Sequence, residues 1–594
     1  MVARFPTNTG GLSGWALSLV LIAPVAARAQ TRAAPASDVP TLAIVNVNVV
    51  SLQSQRIEPQ RTVLIAGDRI TAIAAAGAAV VPPGATIVDG TGRYLLPGLT
   101  DAHVHLTTDR PWAPTRPDFG DAPLYLSHGV TTVINLRGTP EQLVWRHRIN
   151  AGELLGPTIY SAGGFINEPR VTTPEDVTRE IDEQCHAGYD LIKFHEVWTP
   201  DEGYVTTTGL SQPTYEAMIR AARERGMPLV GHAPVNLDID VLLAVRQPLA
   251  HVGELSRMYF MPMQRYRQRL LLGAVALSVL TVVIAAWAGA TLVGRRRRTP
   301  IAWRRWSRAE TLVGITWGGA ILAVLCALLC LPVGPLFESL ALRVGFTALS
   351  LVVAVGAIAH TFLTLSAAAA LRPRARGAQA LLSLAAIIVG ATLATFVPVV
   401  WRSSDRGIAR LAQRLATGGI PVMTTLVNYE FLGPEQDVLI QDPMTAYLSP
   451  RVQERWKAMA TGEIPSYRYY RFTRKVTAAL HRAGVPLIAG TDAMGLPSIT
   501  PGSSLHRELE LLVASGLSRY DALRTATVNP ARFLGKEREF GTIAVGVRAD
   551  LLLVDGNPLA DLTVVRRPAG VVVRGVWLPR SRLNQMLATL VGKS

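Results

Sequence analysis

Two histidines one residue apart close an apolar run: Tyr94-Leu-Leu-Pro-Gly-Leu-Thr leads into Asp101-Ala-His103-Val-His105. Side chains alternate faces along a strand, so His103 and His105 point the same way and can offer two imidazole nitrogens to one divalent cation. Histidines so spaced also occur as ordinary hydrogen-bonded or solvent-facing residues, and the pair alone decides little. Four later apolar runs also end in chemically able residues: Leu191-Ile-Lys193, Pro228-Leu-Val-Gly-His232, Pro248-Leu-Ala-His251 and Pro486-Leu-Ile-Ala-Gly-Thr-Asp492. Each has an ordinary reading as well. Lys193 could pair with an acid such as Glu196, His232 and His251 could be structural, and Asp492 could cap the helix that follows. Their matching places at the ends of successive runs favour a shared site.

The elements that must position these residues follow from the same runs. Adding Val130 to Asn135, Pro157 to Gly163 and Pro421 to Leu426 gives eight strands in alternation with helix-like segments. That pattern predicts an α/β chain with a (β/α)8 barrel, whose reactive groups sit at the carboxyl ends of its strands.

With these positions, and with the closing segments Ala522-Leu-Arg-Thr-Ala-Thr-Val-Asn-Pro-Ala and Gly541-Thr-Ile-Ala-Val-Gly-Val-Arg-Ala-Asp-Leu, the chain resembles the amidohydrolase superfamily, in the branch of imidazolonepropionase-like and Xaa-Pro dipeptidase-like enzymes. The resemblance covers residues 41–255 and about 406–580. It implies that His103, His105, Lys193, His232, His251 and Asp492 hold one or two divalent metals, usually zinc. An ammonium cannot ligate a cation, so Lys193 would have to be carboxylated to a carbamate that bridges two ions. Asp492 would be the catalytic residue, shuttling the proton of a metal-activated hydroxide to the leaving nitrogen. His195, two residues from Lys193, shares its face and could touch substrate or orient a ligand. His506, in Gly502-Ser-Ser-Leu-His-Arg-Glu-Leu, is similar to a family pattern and could touch substrate, cap or pack. The resemblance also implies that residues 41–97 and 537–580 join in a small β-sandwich beside a barrel of residues 98–255 and 406–536.

The expected reaction is hydrolysis of an amide or peptide-like carbon–nitrogen bond in a small molecule such as a dipeptide or an N-acylated amino acid. Opening of a cyclic amide would use the same metals. A transporter or sensor that only binds ligand is a third reading. It is opposed by the complete ligand set and by spans that hold few ionisable groups, His360 being the main one.

A large departure from the family lies between strands six and seven. Residues 256–405 contain four apolar stretches, about 270–294, 311–337, 344–371 and 377–401, each long enough to cross a bilayer. The sequence therefore predicts an inserted transmembrane region of four spans. Arg4, the apolar stretch Trp15 to Val25 and Ala27-Arg-Ala29 predict a signal peptide over residues 1–29, which would export the chain. Arg295 to Arg298, Arg304, Arg305 and Arg308 follow the first span, and Arg372, Arg374 and Arg376 the third. Such loops stay cytoplasmic, which again puts the catalytic halves on the extracytoplasmic side, periplasmic or extracellular. Arg265, Arg267 and Arg269 before the first span run mildly against this. An even number of spans lets both halves meet in one compartment.

Charge follows the same division. The chain carries a formal +16, and between Ser256 and Arg410 lie 18 arginines, no lysine and 3 acids. Nearly all the excess thus flanks the apolar stretches, where anionic lipid is the fitting partner and nucleic acid is not. Three cysteines imply no disulfide framework. Nothing in the sequence specifies an oligomeric state.

Overall fold

Proline sets the start of several inner strands. Pro157, Pro228, Pro248, Pro421 and Pro486 each stand at or just before the first residue of a strand. A proline has no N–H to give to a ladder, yet its carbonyl still accepts. Here Pro228 accepts from Ile192, Pro248 from Gly231, Pro421 from Leu249 and Pro486 from Val422, at 2.8–3.2 Å. Each of these four prolines thus opens one strand and pairs it to its neighbour.

The computed structural model describes residues 42–106, 108, 114–196, 208–260, 339–367, 373–431, 441–459, 467–495 and 498–591, with isolated positions between 269 and 276. The expected signal peptide lies outside the described residues. Five strands come first: β1 (Leu42–Ser51), β2 (Arg56–Ala66), β3 (Arg69–Ala75), β4 (Thr86–Asp89) and β5 (Tyr94–Pro97). Eight short parallel strands follow: β6 (Leu99–Val104), β7 (Val130–Asn135), β8 (Thr158–Ser161), β9 (Ile192–Phe194), β10 (Leu229–Gly231), β11 (Leu249–Ala250), β12 (Val422–Met423) and β13 (Leu487–Ile488). The chain closes with β14 (Leu551–Val554), β15 (Gly570–Val573) and β16 (Val576–Pro579).

The parallel strands form two sheets, ordered β6-β7-β8 and β9-β10-β11-β12-β13. Isolated parallel bridges stand between them, Ala162 with Leu191 and Ile166 with Phe194 on one side, Val104 with Ala493 on the other. Helices cover the connections, and their ends follow from sequence. Thr173 and Asp176 form a capping box before Pro174–Ala187, and Gly188 ends that helix in a left-handed conformation at φ 84°.

The two ends of the chain join in one hydrogen-bonded sheet. β14 pairs antiparallel with β5, Leu551 opposite Pro97 and Val554 opposite Tyr94. Because β5 also pairs with β1, the order runs β16-β15-β14-β5-β1-β2-β3, with β4 beside β1.

The insertion leaves after β11 and returns before β12. Two of its helices, Leu340–Ala367 and Pro373–Arg402, contain apolar stretches, Leu340–Phe362 and Ser383–Arg402, with mean hydropathy 2.0 and 2.2. They fall on the third and fourth expected spans. Among the described residues two helices, not four, are long and apolar enough to cross a membrane, so the four-span expectation is not supported. The expected spans at 270–294 and 311–337 lie outside the described residues apart from isolated positions. On the first of these helices Leu351, Val355, Ile358, Phe362 and Leu365 are 56–71 % exposed. Their helical spacing makes one bare apolar face. At the return, Ser404 caps helix Asp405–Gly418 by accepting from Gly407 N–H.

Candidate metal centre

The carboxyl ends of the parallel strands bring several distant side chains together. His103 lies within β6 and His105 just beyond it, with ring centres 5.4 Å apart. His232 and His251 are the first residues after β10 and β11, and Lys193 is the middle residue of β9. Asp492 follows β13 by four residues. Potential ligating atoms of His103, His251 and Asp492 all lie within 4.8 Å of one another. Asp492 Oδ1 is 2.7 Å from His105 Nε2 and 3.5 Å from His103 Nε2. The rings of His103 and His251 are 4.5 Å apart, those of His232 and His251 5.1 Å.

Backbone shape holds this cluster. His251, Thr425 and Asp492 have φ of 66°, 44° and 61°, left-handed values that non-glycine residues seldom adopt and that concentrate at functional sites. A Cβ at position 490 would come within 2.5 Å of His103 Cβ, so only glycine lets β13 approach β6 here. Asp101 ties the same strands: it accepts from Thr491 Oγ1 at 2.6 Å and from the backbone N–H groups of Thr491 and His103. Burial pushes its carboxyl up to about 7.

Electrostatics suit ligation. Burial holds the imidazoles of His103, His195 and His232 well below their usual value and lowers His251 to about 3. All four are therefore neutral at pH 7, as metal binding requires. Burial alone would raise Asp492, but His105 and His103 beside it hold its carboxyl well below the usual range. Lys193 is 1 % exposed and its Nζ has no hydrogen-bond partner among the described residues. Burial brings its ammonium down to about 7, although Asp492 and Glu254 pull the other way. Imidazole nitrogens, a carboxylate and an unpaired buried amine form a donor set that fits a divalent cation of the zinc type.

Several residues aim the ligands, and the sequence reading missed most of them. The backbone carbonyl of Glu196 meets His232 Nδ1 at 2.9 Å, which leaves Nε2 free. Glu196 does not pair with Lys193; its carboxylate accepts from the N–H groups of Leu210 and Val235 at 2.6 and 2.7 Å. Thr425 Oγ1 is 2.9 Å from His251 Nδ1, and Asn428 Nδ2 donates to Asp492 Oδ2 at 2.9 Å. Buried Glu508 fixes the segment between them by accepting from Thr424 Oγ1 and Val427 N–H. Glu254 accepts from Ala233 N–H and meets Arg257 at 2.5 Å. The run Pro421 to Leu426 was the one available signal: a seventh strand ends at the same face, so the polar residues after it were candidates.

His195 stacks on Phe165 at 4.2 Å and stands 4.2 Å from the His232 ring, at the edge of the cluster. His506 has other company. Its Nε2 bonds the backbone carbonyl of His128 at 2.9 Å and its ring lies 5.8 Å from that of His128. His128 comes just before the amino end of β7, and the helix Ser503–Ala514 turns His506 toward it.

The profile of the Amidohydrolase family matches residues 470–578. Adenine deaminase of Chelativorans sp. is 28% identical over 207 residues, 32% of each chain. Imidazolonepropionase of Sphingopyxis alaskensis is 37% identical over 99 residues, 16% of this chain and 24% of that protein. The chain thus spans about a third or less of the length of these curated relatives. Among solved structures, a Xaa-Pro dipeptidase with bound methionine superposes with TM-score 0.52 at 16% identity, over 91% of this chain and 99% of that one. The bottromycin amidohydrolase gives 0.54 at 19%, over 92% and 90%. At such identity the likeness concerns the fold. The matched profile and the curated relatives support a place for this chain in the amidohydrolase superfamily, and the solved structures agree in fold.

Proposed function

We propose that this protein is a metal-dependent hydrolase of amide or peptide-like carbon–nitrogen bonds, held at a membrane by its insertion. The observation that carries the reading is the convergence of His103, His251 and Asp492 within 4.8 Å beside a buried, unpartnered Lys193. His103, His105, His232, His251, Asp492 and a carboxylated Lys193 would hold one or two ions, zinc by donor type. When bound, such an ion lowers the pKa of water to about 7 and polarises the substrate carbonyl. Asp492 takes the proton of the attacking water and delivers it to the leaving nitrogen. Its Oδ1 faces the histidines while Asn428 holds Oδ2, so the carboxylate is already oriented.

The eight parallel strands are read as a closed (β/α)8 barrel, supported by the bridges at both gaps between the two sheets. Two apolar helices and the arginine-rich flanks support a multi-pass anchor with the catalytic part outside the cytoplasm. Dipeptides and N-acyl amino acids are the leading substrates. Opening of a cyclic amide is the second reading, favoured by the 37% identity to an imidazolonepropionase.

The test is metal content per chain for the wild type and Lys193→Ala, followed by a screen of dipeptides, N-acyl amino acids and cyclic amides. Two ions in the wild type and one in the variant support the carbamate bridge. Two in both refute it, and no hydrolysis by the metal-loaded wild type refutes the activity.

A further inference from the structure

Asn428, on helix Leu426–Phe431 just past β12, is 5 % exposed. Its Nδ2 donates to Asp492 Oδ2 at 2.9 Å, while its Oδ1 is buried without a hydrogen-bond partner among the described residues. Turning the amide over would set Oδ1 against the Asp492 carboxylate, two acceptors face to face, so the hydrogen bond fixes which end is which. A buried acceptor left unpaired is costly, and such atoms in native proteins call for a reason. Here the neighbour supplies one. Asp492 must reach the leaving nitrogen to protonate it, and whatever lies within reach of Asp492 Oδ2 also lies beside the Asn428 amide.

We propose that Asn428 Oδ1 receives the N–H of the scissile amide, which makes secondary amides the substrate class and excludes amides substituted at nitrogen, prolyl amides among them. The inference rests on the amide-hydrolase reading above. Asn428 forms and breaks no covalent bond. The oxygen of water bonds to the carbonyl carbon, the carbon–nitrogen bond breaks, and nitrogen leaves with its own hydrogen plus the proton carried by Asp492. By holding the first hydrogen, Asn428 turns the nitrogen lone pair toward Asp492. A site built to pair with an N–H discriminates strongly against the analogue that lacks it, because its acceptor is then stranded.

The experiment uses the full-length, metal-loaded protein and a panel of N-acylglycines and dipeptides, each matched with the analogue methylated at the scissile nitrogen. The wild type is expected to favour the N–H member by about tenfold or more in kcat/KM. Asn428→Ala, with Asn428→Ser as the smaller change, each assayed after loading to the metal content of the wild type, is expected to lose that preference. Equal rates on both members in the wild type overturn the inference. So does a preference that survives in the folded variants, since a merely structural role would slow both members alike. Failure of the wild type to cleave any member overturns the hydrolase reading itself, a result distinct from cleavage without preference.

Discussion

Two buried cations in this protein are handled in opposite ways. Arg548, 4 % exposed, lies between the terminal sheet and the parallel strands with its charge fully answered. Its Nε meets Asp550 Oδ2 at 2.6 Å, Nη2 reaches Thr132 Oγ1 at 3.3 Å, and the guanidinium lies over Phe540 at 5.6 Å. Lys193, at least as deeply buried, has no such partner among the described residues. A guanidinium cannot shed its proton in a protein, so it must be paired; an ammonium can, and burial takes Lys193 to about 7. The paired cation fastens two parts of the fold. The unpaired one marks where chemistry is expected.

Breaking the paired site should have the largest effect on stability. Asp550→Ala would strand Arg548 and also remove the acceptor for Arg574 N–H, so a loss of about 3–5 kcal/mol is expected, read from the denaturant midpoint. A loss under about 1 kcal/mol would show that the two cations are not handled differently. His506 offers a third buried base, neutral and bonded to a carbonyl, and it sharpens the comparison through pH. Burial lowers its pKa from 6.5 to about 3, so the unfolded chain binds a proton between those values and the folded chain does not. Its stabilisation is therefore complete above about 6.5 and drains away as pH falls toward 3. Between pH 7 and 4.5 the wild type should lose up to about 2–3 kcal/mol more than His506→Gln, which keeps an N–H donor but does not titrate. Parallel curves for the two proteins would contradict this. The smallest effect is expected at the unpaired cation: in metal-free protein, Lys193→Met should change stability by less than about 1 kcal/mol, or raise it, because an apolar chain replaces an unanswered amine. A large loss would mean that Lys193 is structurally bonded after all.

Much of the site could be read before the fold was known, and the reason is periodic. Strand alternation sets His103 and His105 on one face, and proline-led runs such as Pro228 to His232 end where their strands end. β7 occupies the expected residues Val130–Asn135. The residues that aim the ligands follow no such period. Thr425 and Asn428 are ordinary loop-type residues until β12 lies beside β11 and β13, and Glu508 holds their neighbours Thr424 and Val427 from a helix that begins far later in the chain. His506 shows the converse. It had the sequence setting of a site residue, but its helix face directs it toward His128.

The insertion can be compared with its sequence only in part: two helices long and apolar enough to cross a membrane stand among the described residues, at the third and fourth expected spans, and the first two expected spans lie outside those residues apart from isolated positions.

What the chain dictated alone was local: which runs are extended, where each stops, and which side chain stands at each stop. The folded structure decided which stops face one another, and hence that Asp492 lies between His105 and Asn428 and that Lys193 is left without a partner. Hydrophobic pattern and backbone stereochemistry act over a few residues and leave their mark in sequence. Contacts between residues hundreds of positions apart depend on strand order and register, which no short stretch of chain encodes.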